Sequence, residues 1–259
     1  MSAFTLRKFF PRSLHKPLWG DRSRWGHLIN QEDHCWKEWQ KTYSNFYAAN
    51  QRAGIGKMVN NAGYRIMAQI DMTGKRVLEI GAGDIGHIIY WHGSPDEYIL
   101  VDVNAEMMAK AEQRLVEKGC PHRSILLERM QTLPLADASV DVVVSFYSLE
   151  HLYPLAPYLH EMNRVLVPGG ILIGAIPTEG SLAWGVGRML TSRRWLHKNT
   201  NIDPDKIICW EHPNFADQII TECDGIFNRS KLNYWPMAIP IIDINLIMQF
   251  IYNKGLTRV

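Results

Sequence analysis

Short apolar runs alternate with stretches of helical periodicity through the middle of the chain. The apolar runs predict strands at 76–80, 98–103, 124–129, 140–146 and 169–177. Between them, apolar residues spaced by three and four positions predict helices, as over 105–119, where Gly119 gives the C-cap. This alternation predicts an α/β fold, a doubly wound and mostly parallel sheet.

The pattern changes at both ends of this central region. After Pro177 comes an insertion, 178–212, with one amphipathic helix over 181–196, and then a helix at 213–223. Two strand-like runs follow with no helical span between them, so they predict an antiparallel hairpin at one edge of a seven-stranded sheet. These runs are 226–235 and 244–252.

The sequence pattern predicts that the first 70 residues form a separate part of the protein. An irregular basic arm covers 1–30, and an aromatic-rich helical lid follows it. We therefore divide the chain into 1–70 and a main domain, 71–259. The arm holds six basic residues and one acidic residue, a local charge of +5. An anionic membrane surface would attract such a segment, so peripheral membrane contact is one interpretation.

Composition and net charge narrow the classes of function and of cellular location that fit the sequence. The net charge is +2 and charged residues make up 21% of the chain, so no overall field favours nucleic acid. The four cysteines lack metal-ligand spacing and predict reduced thiols in a cytoplasmic protein. The sequence contains no run of about 18 apolar residues, which is the length that predicts a membrane-spanning helix.

The first predicted strand ends in "VLEIGAGDIGH", residues 77–87, a G-x-G-x-x-G nucleotide-binding turn. Asp102 ends the second strand 21 residues after Gly81, where a carboxylate binds ribose hydroxyls. Glu79 lies inside the first strand and needs a cationic or hydrogen-bonding partner if it is buried. The α-ammonium and sulfonium of S-adenosylmethionine would supply one, whereas the pyrophosphate of NAD would repel the carboxylate.

Four segments in order resemble the class I S-adenosylmethionine-dependent methyltransferases, with their Rossmann-like fold. They are "VLEIGAGDIGH", "ILVDVNAEMMAKA", "LPLADASVDVVVSFYSLEHL" and "EMNRVLVPGGILIGAIP". The resemblance covers roughly residues 70–180 and is strongest to the subfamily that methylates small molecules and sugars. It implies S-adenosylmethionine as cofactor, bound by Glu79, Gly81, Ala82, Gly83, Asp102, Val103, Met130, Gln131, Ser145 and Phe146.

The chain departs from this pattern at two positions. Ile85 precedes Gly86 as if one residue had been inserted in the glycine loop. Arg129 stands where the family commonly has an aspartate near the adenine. In the predicted lid, Tyr43 and Tyr47 are candidates to cover the cofactor, with core packing as the alternative.

Histidines are the candidate bases for the methyl acceptor, because a hydroxyl needs help to lose its proton. His151 follows the fourth strand and is the first candidate; His212 is the second and His87 a weaker third. Glu150 and Glu211 would orient their neighbours.

The insertion combines tryptophans with basic residues, which suits an anionic or glycan acceptor. The candidate substrate residues are Trp184, Arg193, Arg194 and Trp195. O-methylation of a saccharide or of a lipid-linked or phosphorylated glycan is the main hypothesis. A methyltransferase of quinones, lipids or other metabolites, an NAD-linked oxidoreductase, and an inactive cofactor-binding scaffold remain alternatives.

Overall fold

The computed structural model describes residues 4–50, 54–127 and 132–256. Its centre is a seven-stranded sheet in the order β3-β2-β1-β4-β5-β7-β6. The strands are β1 (Arg76–Ile80), β2 (Glu97–Asp102), β3 (His122–Leu126), β4 (Val140–Phe146), β5 (Leu166–Pro177), β6 (Asn228–Trp235) and β7 (Ile247–Asn253). Chain order reverses between β1 and β4, so the carboxyl ends of these two strands flank the crevice where such folds bind ligands.

The doubly wound sheet and its C-terminal hairpin are confirmed. Strands β1 to β5 pair in parallel, whereas β7 runs antiparallel to both β5 and β6. The central strands are buried on both faces, which explains why "VDVVVSF" is apolar at most positions. β5 begins three residues earlier than predicted because Leu166 already pairs with Val140.

Ten helices accompany the sheet in the described residues. They are α1 (Arg12–Trp19), α2 (Arg22–Trp25), α3 (His34–Asn50), α4 (Gly54–Tyr64), α5 (Ala105–Lys118), α6 (Leu155–Val165), α7 (Leu182–Leu190), α8 (Ser192–Asn199), α9 (Pro204–Glu211) and α10 (Ala216–Ile226). Helix α5 begins at the Asn104 cap and ends at Gly119 in the left-handed conformation, as predicted.

The insertion is more broken than predicted. The expected single helix over 181–196 is divided at Thr191 into α7 and α8, and α9 follows. Helix α10 starts at Ala216 and not at 213, because the Asn214 side chain donates to the carbonyls of Leu149 and Leu152 and holds that segment as a turn.

The prediction of an irregular N-terminal arm is wrong. Residues 6–25 form a short 3-10 helix (Leu6–Phe9), α1 and α2, and they pack on the insertion. Trp19 is fully buried and its indole donates to the carbonyl of Ser181 at 2.8 Å. Arg7 is buried against Asp217, so part of the local positive charge is neutralised inside the protein. The arm thus forms a wall on the side of the sheet where β5 ends.

Candidate active site

The glycine loop after β1 has the close approach that a nucleotide-binding turn requires. Gly81 has φ of +68°, and a Cβ there would lie 2.4 Å from the Cβ of Ser148. Gly83 also has positive φ, but only the tip of Met107, at 4.0 Å, lies near its Cβ position, so the backbone there faces open space. Ile85 adopts φ of +43°, a strained conformation for a β-branched residue. This is how the loop accommodates the extra residue before Gly86.

Asp102 lies at the end of β2, beside the glycine loop. Its carboxylate accepts the amide N–H of Gly83 at 2.8 Å and that of Asn104 at 2.7 Å. These two hydrogen bonds fix the carboxylate in place. Each oxygen keeps a second lone pair, so the carboxylate can still accept hydrogen bonds from hydroxyl groups. Val103, the next residue, is 70% exposed and offers an apolar surface next to it.

Glu79 is buried as predicted, but its partners are protein side chains. It accepts from Nε2 of His87 at 2.8 Å and from the hydroxyl of Tyr98 at 2.6 Å. His87 in turn accepts the Trp91 indole N–H on Nδ1, which places the imidazole proton on Nε2. Burial and the Glu79 charge raise the pKa of Tyr98 well above its usual value.

Two sequence arguments change as a result. Glu79 does not need a cationic ligand to balance its charge, so it no longer excludes a dinucleotide by itself. His87 is buried in this network beneath the glycine loop, so it is not placed to act as a base.

The end of β4 joins the glycine loop through hydroxyl groups. Ser148 donates to the carbonyl of Ile80 at 2.9 Å, and Ser145 donates to Ser148 at 2.6 Å. Phe146 is buried, with its ring 4.8 Å from the ring of His87. Ser145 and Phe146 therefore lie beside the candidate cofactor loop, as the resemblance implied.

Of the aromatic residues predicted to cover the cofactor, Tyr43 packs away from the glycine loop. Tyr43 belongs to a cluster with Trp39, Phe46 and Trp195, packed on the insertion side. Tyr64, at the end of α4, instead contacts Phe146 at 5.1 Å between ring centroids and lies 3.2 Å from a Cβ built on Gly86.

Sequence reasoning missed Tyr64, and the one available signal was its place at the end of the last helix before β1. Tyr47 lies in α3, and its side chain is outside what the structure describes. Met130 and Gln131 also lie outside the described residues.

The two leading candidate bases, His151 and His212, come together. Their ring centroids are 4.7 Å apart. Nδ1 of His151 contacts the backbone carbonyl of Glu211, and the Glu211 carboxylate lies 3.5 Å from the same nitrogen. A carbonyl only accepts, so Nδ1 carries the proton of the neutral ring and Nε2 is left to accept one. Glu211 thus orients His151, whereas the sequence suggested that it would orient its neighbour His212.

A buried charge cluster lies beneath His212 at the end of β5. Glu179 is fully buried and pairs with both terminal nitrogens of Arg188, and it accepts the Trp184 indole N–H at 3.0 Å. Nδ1 of His212 is 3.1 Å from Glu179 without the alignment of a hydrogen bond.

The pKa values of this cluster follow from burial and charge. Burial lowers the pKa of His212 to about 4, so its ring is neutral at pH 7. Although burial alone would raise it, Arg188 and His212 hold the pKa of Glu179 well below its usual range.

Glu150 adds a second buried carboxyl that the sequence identified only as an orienting group. It is 1% exposed, and its Oε2 has no hydrogen-bond partner among the described residues. Burial raises its pKa to about 7, although the neighbouring His151 opposes that shift. A carboxyl group that titrates near neutrality can act in acid–base chemistry.

Three of the four predicted substrate residues of the insertion lie together on α8, and Trp184 lies apart from them on α7. Arg193 is buried against Asp205 and also donates to the carbonyl of Lys16, so its charge is used within the fold. Trp195 packs on Phe46. Arg194 is exposed in a shallow groove between α1 and α8, and of the four candidates Trp184 alone contacts the Glu179 cluster.

Comparisons with known proteins agree with this geometry. A family model described as a methyltransferase domain matches residues 78–174, from β1 to β5. A solved N-methyltransferase, NodS of Bradyrhizobium japonicum WM9 in complex with S-adenosyl-L-homocysteine, has a TM-score of 0.56 at 14% identity. It covers 86% of this chain and 99% of its own, and at this identity it shows the fold alone.

Two curated relatives match the same region. A probable phthiotriol/phenolphthiotriol dimycocerosates methyltransferase 2 of Mycobacterium ulcerans is 34% identical over 113 residues, 42% of each chain. The malonyl-(acyl-carrier protein) O-methyltransferase of Pectobacterium atrosepticum is 31% identical over 132 residues, 50% of this chain and 49% of its own. The aligned region thus spans less than half the length of either relative.

Residues 78–174 match the methyltransferase-domain family, and the fold is the one that the resemblance to class I S-adenosylmethionine-dependent methyltransferases predicted. These matches support the predicted methyltransferase domain and S-adenosylmethionine as its cofactor. The residues present fit S-adenosylmethionine: Gly83 leaves open space, Asp102 is fixed with lone pairs to spare, and Val103 presents an apolar face.

Proposed function

We propose that this protein O-methylates a hydroxyl group of a saccharide, or of a lipid-linked or phosphorylated glycan. S-adenosylmethionine supplies the activated methyl group. Gly81, Gly83 and Asp102 hold this cofactor at the end of β1 and β2, with Ser145 and Phe146 closing the side toward β4.

The observation that carries the proposal is the tautomer of His151. Its Nδ1 is occupied by the carbonyl of Glu211, so its Nε2 accepts the proton of the acceptor hydroxyl. The backbone links His151 to the cofactor loop in one step, because its amide donates to the carbonyl of Ser148, which packs against Gly81. The Glu211 carboxylate stabilises the imidazolium that forms.

The cluster beneath this pair has an electrostatic role. The Glu179–Arg188 pair is neutral overall. Its negative member, the Glu179 carboxylate, lies 3.1 Å from Nδ1 of His212. His212 is uncharged near pH 7, so it does not repel a proton moving to His151 at 4.7 Å. His212 thus assists His151 in this mechanism, and it is kept as the second candidate base.

The acceptor binds on the insertion side of the crevice. Trp184 is half-buried beside Glu179, where its ring face can stack on a sugar. Basic side chains line the surface nearby, which favours an acceptor that carries negative charge. They are Arg194, His197 and Lys198.

The same face favours contact with an anionic membrane surface. Phe9 is 75% exposed and Leu190 is 67% exposed, and the exposed Lys8 and Arg12 lie next to Phe9 along the chain. Apolar side chains surrounded by cations are typical of interfacial binding. A lipid-linked glycan presented at such a surface would reach the insertion. In the described residues no helix is both long and apolar enough to span a membrane.

The second candidate function is methylation of a lipid, quinone or other small metabolite. It is favoured by the exposed apolar side chains of this face and by the Mycobacterium ulcerans relative, whose name describes a lipid methyltransferase. In that case the membrane contact would deliver the acceptor itself.

The test is to incubate the protein with methyl-labelled S-adenosylmethionine and three acceptor pools, and to find the labelled product by mass spectrometry. The pools are phosphorylated or lipid-linked glycans, neutral sugars, and quinones with phenolic lipids. Label on a glycan hydroxyl supports the proposal, and label on a quinone or lipid alone transfers it to the second function.

A matched pair of variants makes the assay specific. His151→Ala should lose activity on the labelled acceptor, whereas His160→Ala, which changes an exposed histidine on α6, should keep it. Equal activity of the two variants would remove His151 from the mechanism.

A further inference from the structure

Three guanidinium groups meet around the Phe215 ring and the turn after β5, and two of them are fully paired. Arg7 binds both carboxylate oxygens of Asp217, at 2.8 and 3.0 Å, and Arg188 binds both oxygens of Glu179. The third is Arg22 on α2. All three of its guanidinium nitrogens are buried, and none has a hydrogen-bond partner among the described residues.

The surroundings of Arg22 do not satisfy it. Its guanidinium lies 4.0 Å from the centroid of the Phe215 ring, which Arg7 also contacts, at 3.7 Å. Stacking on a ring leaves the five N–H donors unused. Burial lowers the pKa of Arg22 to about 10, so it stays positively charged near pH 7. The Glu179 carboxylate attracts this cation without accepting a hydrogen bond from it, so the buried donors of Arg22 remain available to an anionic acceptor.

His27 supplies a second unpartnered group in the same region. Its Nδ1 is buried without a hydrogen-bond partner, and burial together with the Arg22 charge lowers its pKa. Its ring stacks on Tyr153 at 5.1 Å, and Tyr153 is 41% exposed. Tyr153 lies two residues after His151, so the stack joins His27 to the segment that carries the histidine pair.

We propose that Arg22 and His27 form a subsite for an anionic oxygen group of the acceptor, a carboxylate or a phosphate. The planar fork of Arg22 matches the two oxygens of either group. His27 donates one further hydrogen bond from Nδ1 when its ring is protonated, because the carbonyl of Pro213 takes the single N–H of the neutral ring. Arg22 replaces Arg193 in the anion-binding role expected from the sequence, because Arg193 is already paired with Asp205.

The subsite would orient the acceptor. An anion held on the N-terminal helices fixes one end of the molecule, and the hydroxyl to be methylated then points toward His151. This inference rests on the proposed function for the identity of the acceptor, but the anion-binding step itself does not depend on methyl transfer.

The experiment titrates the whole protein with inorganic phosphate and separately with acetate by calorimetry, at ionic strength held constant with sodium chloride. Arg22→Gln should weaken binding of the preferred anion at least 10-fold. Arg24→Gln removes an exposed arginine from the same helix and should bind as the wild type does. The two anions distinguish a phosphate subsite from a carboxylate subsite.

Two results would overturn the inference: neither anion binds the wild type, or Arg22→Gln binds as tightly as Arg24→Gln. If Arg22→Gln does not fold, the Nε–Hε resonance of Arg22 in the ¹⁵N-labelled wild type decides, since phosphate or acetate must shift it. S-adenosyl-L-homocysteine is titrated into the same samples. Cofactor binding without anion binding refutes the subsite alone, and anion binding without methylation of any hydroxyl refutes the proposed function alone.

Discussion

The two halves of the crevice differ in whether their buried polar groups are hydrogen-bonded within the protein. On the β1–β2 side, Glu79, His87 and Asp102 are hydrogen-bonded within the protein. On the β4–β5 side, Glu150 and His212 keep buried atoms without hydrogen-bond partners. The adjoining arm adds two more such residues, Arg22 and His27.

This difference lowers the stability of the β4–β5 side relative to the β1–β2 side. Leaving a buried donor or acceptor unpaired costs about 1–3 kcal/mol, so such groups persist where a ligand pairs with them. We therefore expect the cofactor half to be formed before its ligand binds, and the proposed acceptor half to be completed by its ligand. The following predictions test that contrast.

The largest effect is expected on turnover. His151→Ala should lower kcat by about 10²–10⁴-fold, the range for loss of a general base, while the affinity for S-adenosyl-L-homocysteine stays the same. Steady-state kinetics with the acceptor found by mass spectrometry measures this. A decrease in kcat of less than 10-fold would indicate that His212, and not His151, is the base.

Breaking an internal ion pair should affect the fold and not the acceptor. Arg193→Ala leaves the buried Asp205 with the exposed Lys16, at 4.0 Å, as its remaining cation, which should lower the free energy of unfolding by about 1.5–3 kcal/mol. Arg194→Ala, in the neighbouring exposed position, should change it by less than about 0.5 kcal/mol. Chemical denaturation of both variants provides the comparison. Equal stabilities would mean that Arg193 is free to bind substrate after all.

Glu150→Gln tests the cost of the buried carboxyl through pH. The folded protein keeps the Glu150 proton up to about pH 7, whereas the unfolded chain releases it near its ordinary pKa of 4.5. Stability from this group is therefore fully present below pH 4.5 and is lost as the pH rises through 7, by at most about 3 kcal/mol.

The measurement is the difference in unfolding free energy between variant and wild type at each pH. This difference cancels the opposite contribution of His212, whose pKa is lowered to about 4. It should grow in favour of Glu150→Gln between pH 4.5 and about 8. The same change at the exposed Glu117 should give a flat difference, and a flat result for Glu150 would show that its ionised form is paired.

Local sequence rules were sufficient for the sheet and the glycine loop. The apolar runs of β1 to β5 and the turn at Gly81 depend on near neighbours in the chain, so periodicity and spacing predicted them. The cap at Asn104 and the stop at Gly119 follow from the same rules.

The missed features depend on contacts between distant segments. The pairing of Arg7 with Asp217 joins residues 210 positions apart, and nothing near Arg7 in the chain indicates it. The partners of Glu79 were likewise unpredicted, because Tyr98 reaches it from the neighbouring strand. The lid over the cofactor stays a prediction, with Tyr64 now its best-placed aromatic residue.

The most direct test of the contrast is calorimetry of S-adenosyl-L-homocysteine binding to the wild type, Asp102→Ala and His151→Ala. The account predicts that Asp102→Ala weakens binding by about 1–3 kcal/mol, because it removes a charged hydrogen-bond acceptor, and that His151→Ala binds as the wild type does. Unchanged binding by Asp102→Ala, or an equal loss in both variants, would contradict the division of the crevice into a cofactor half and an acceptor half.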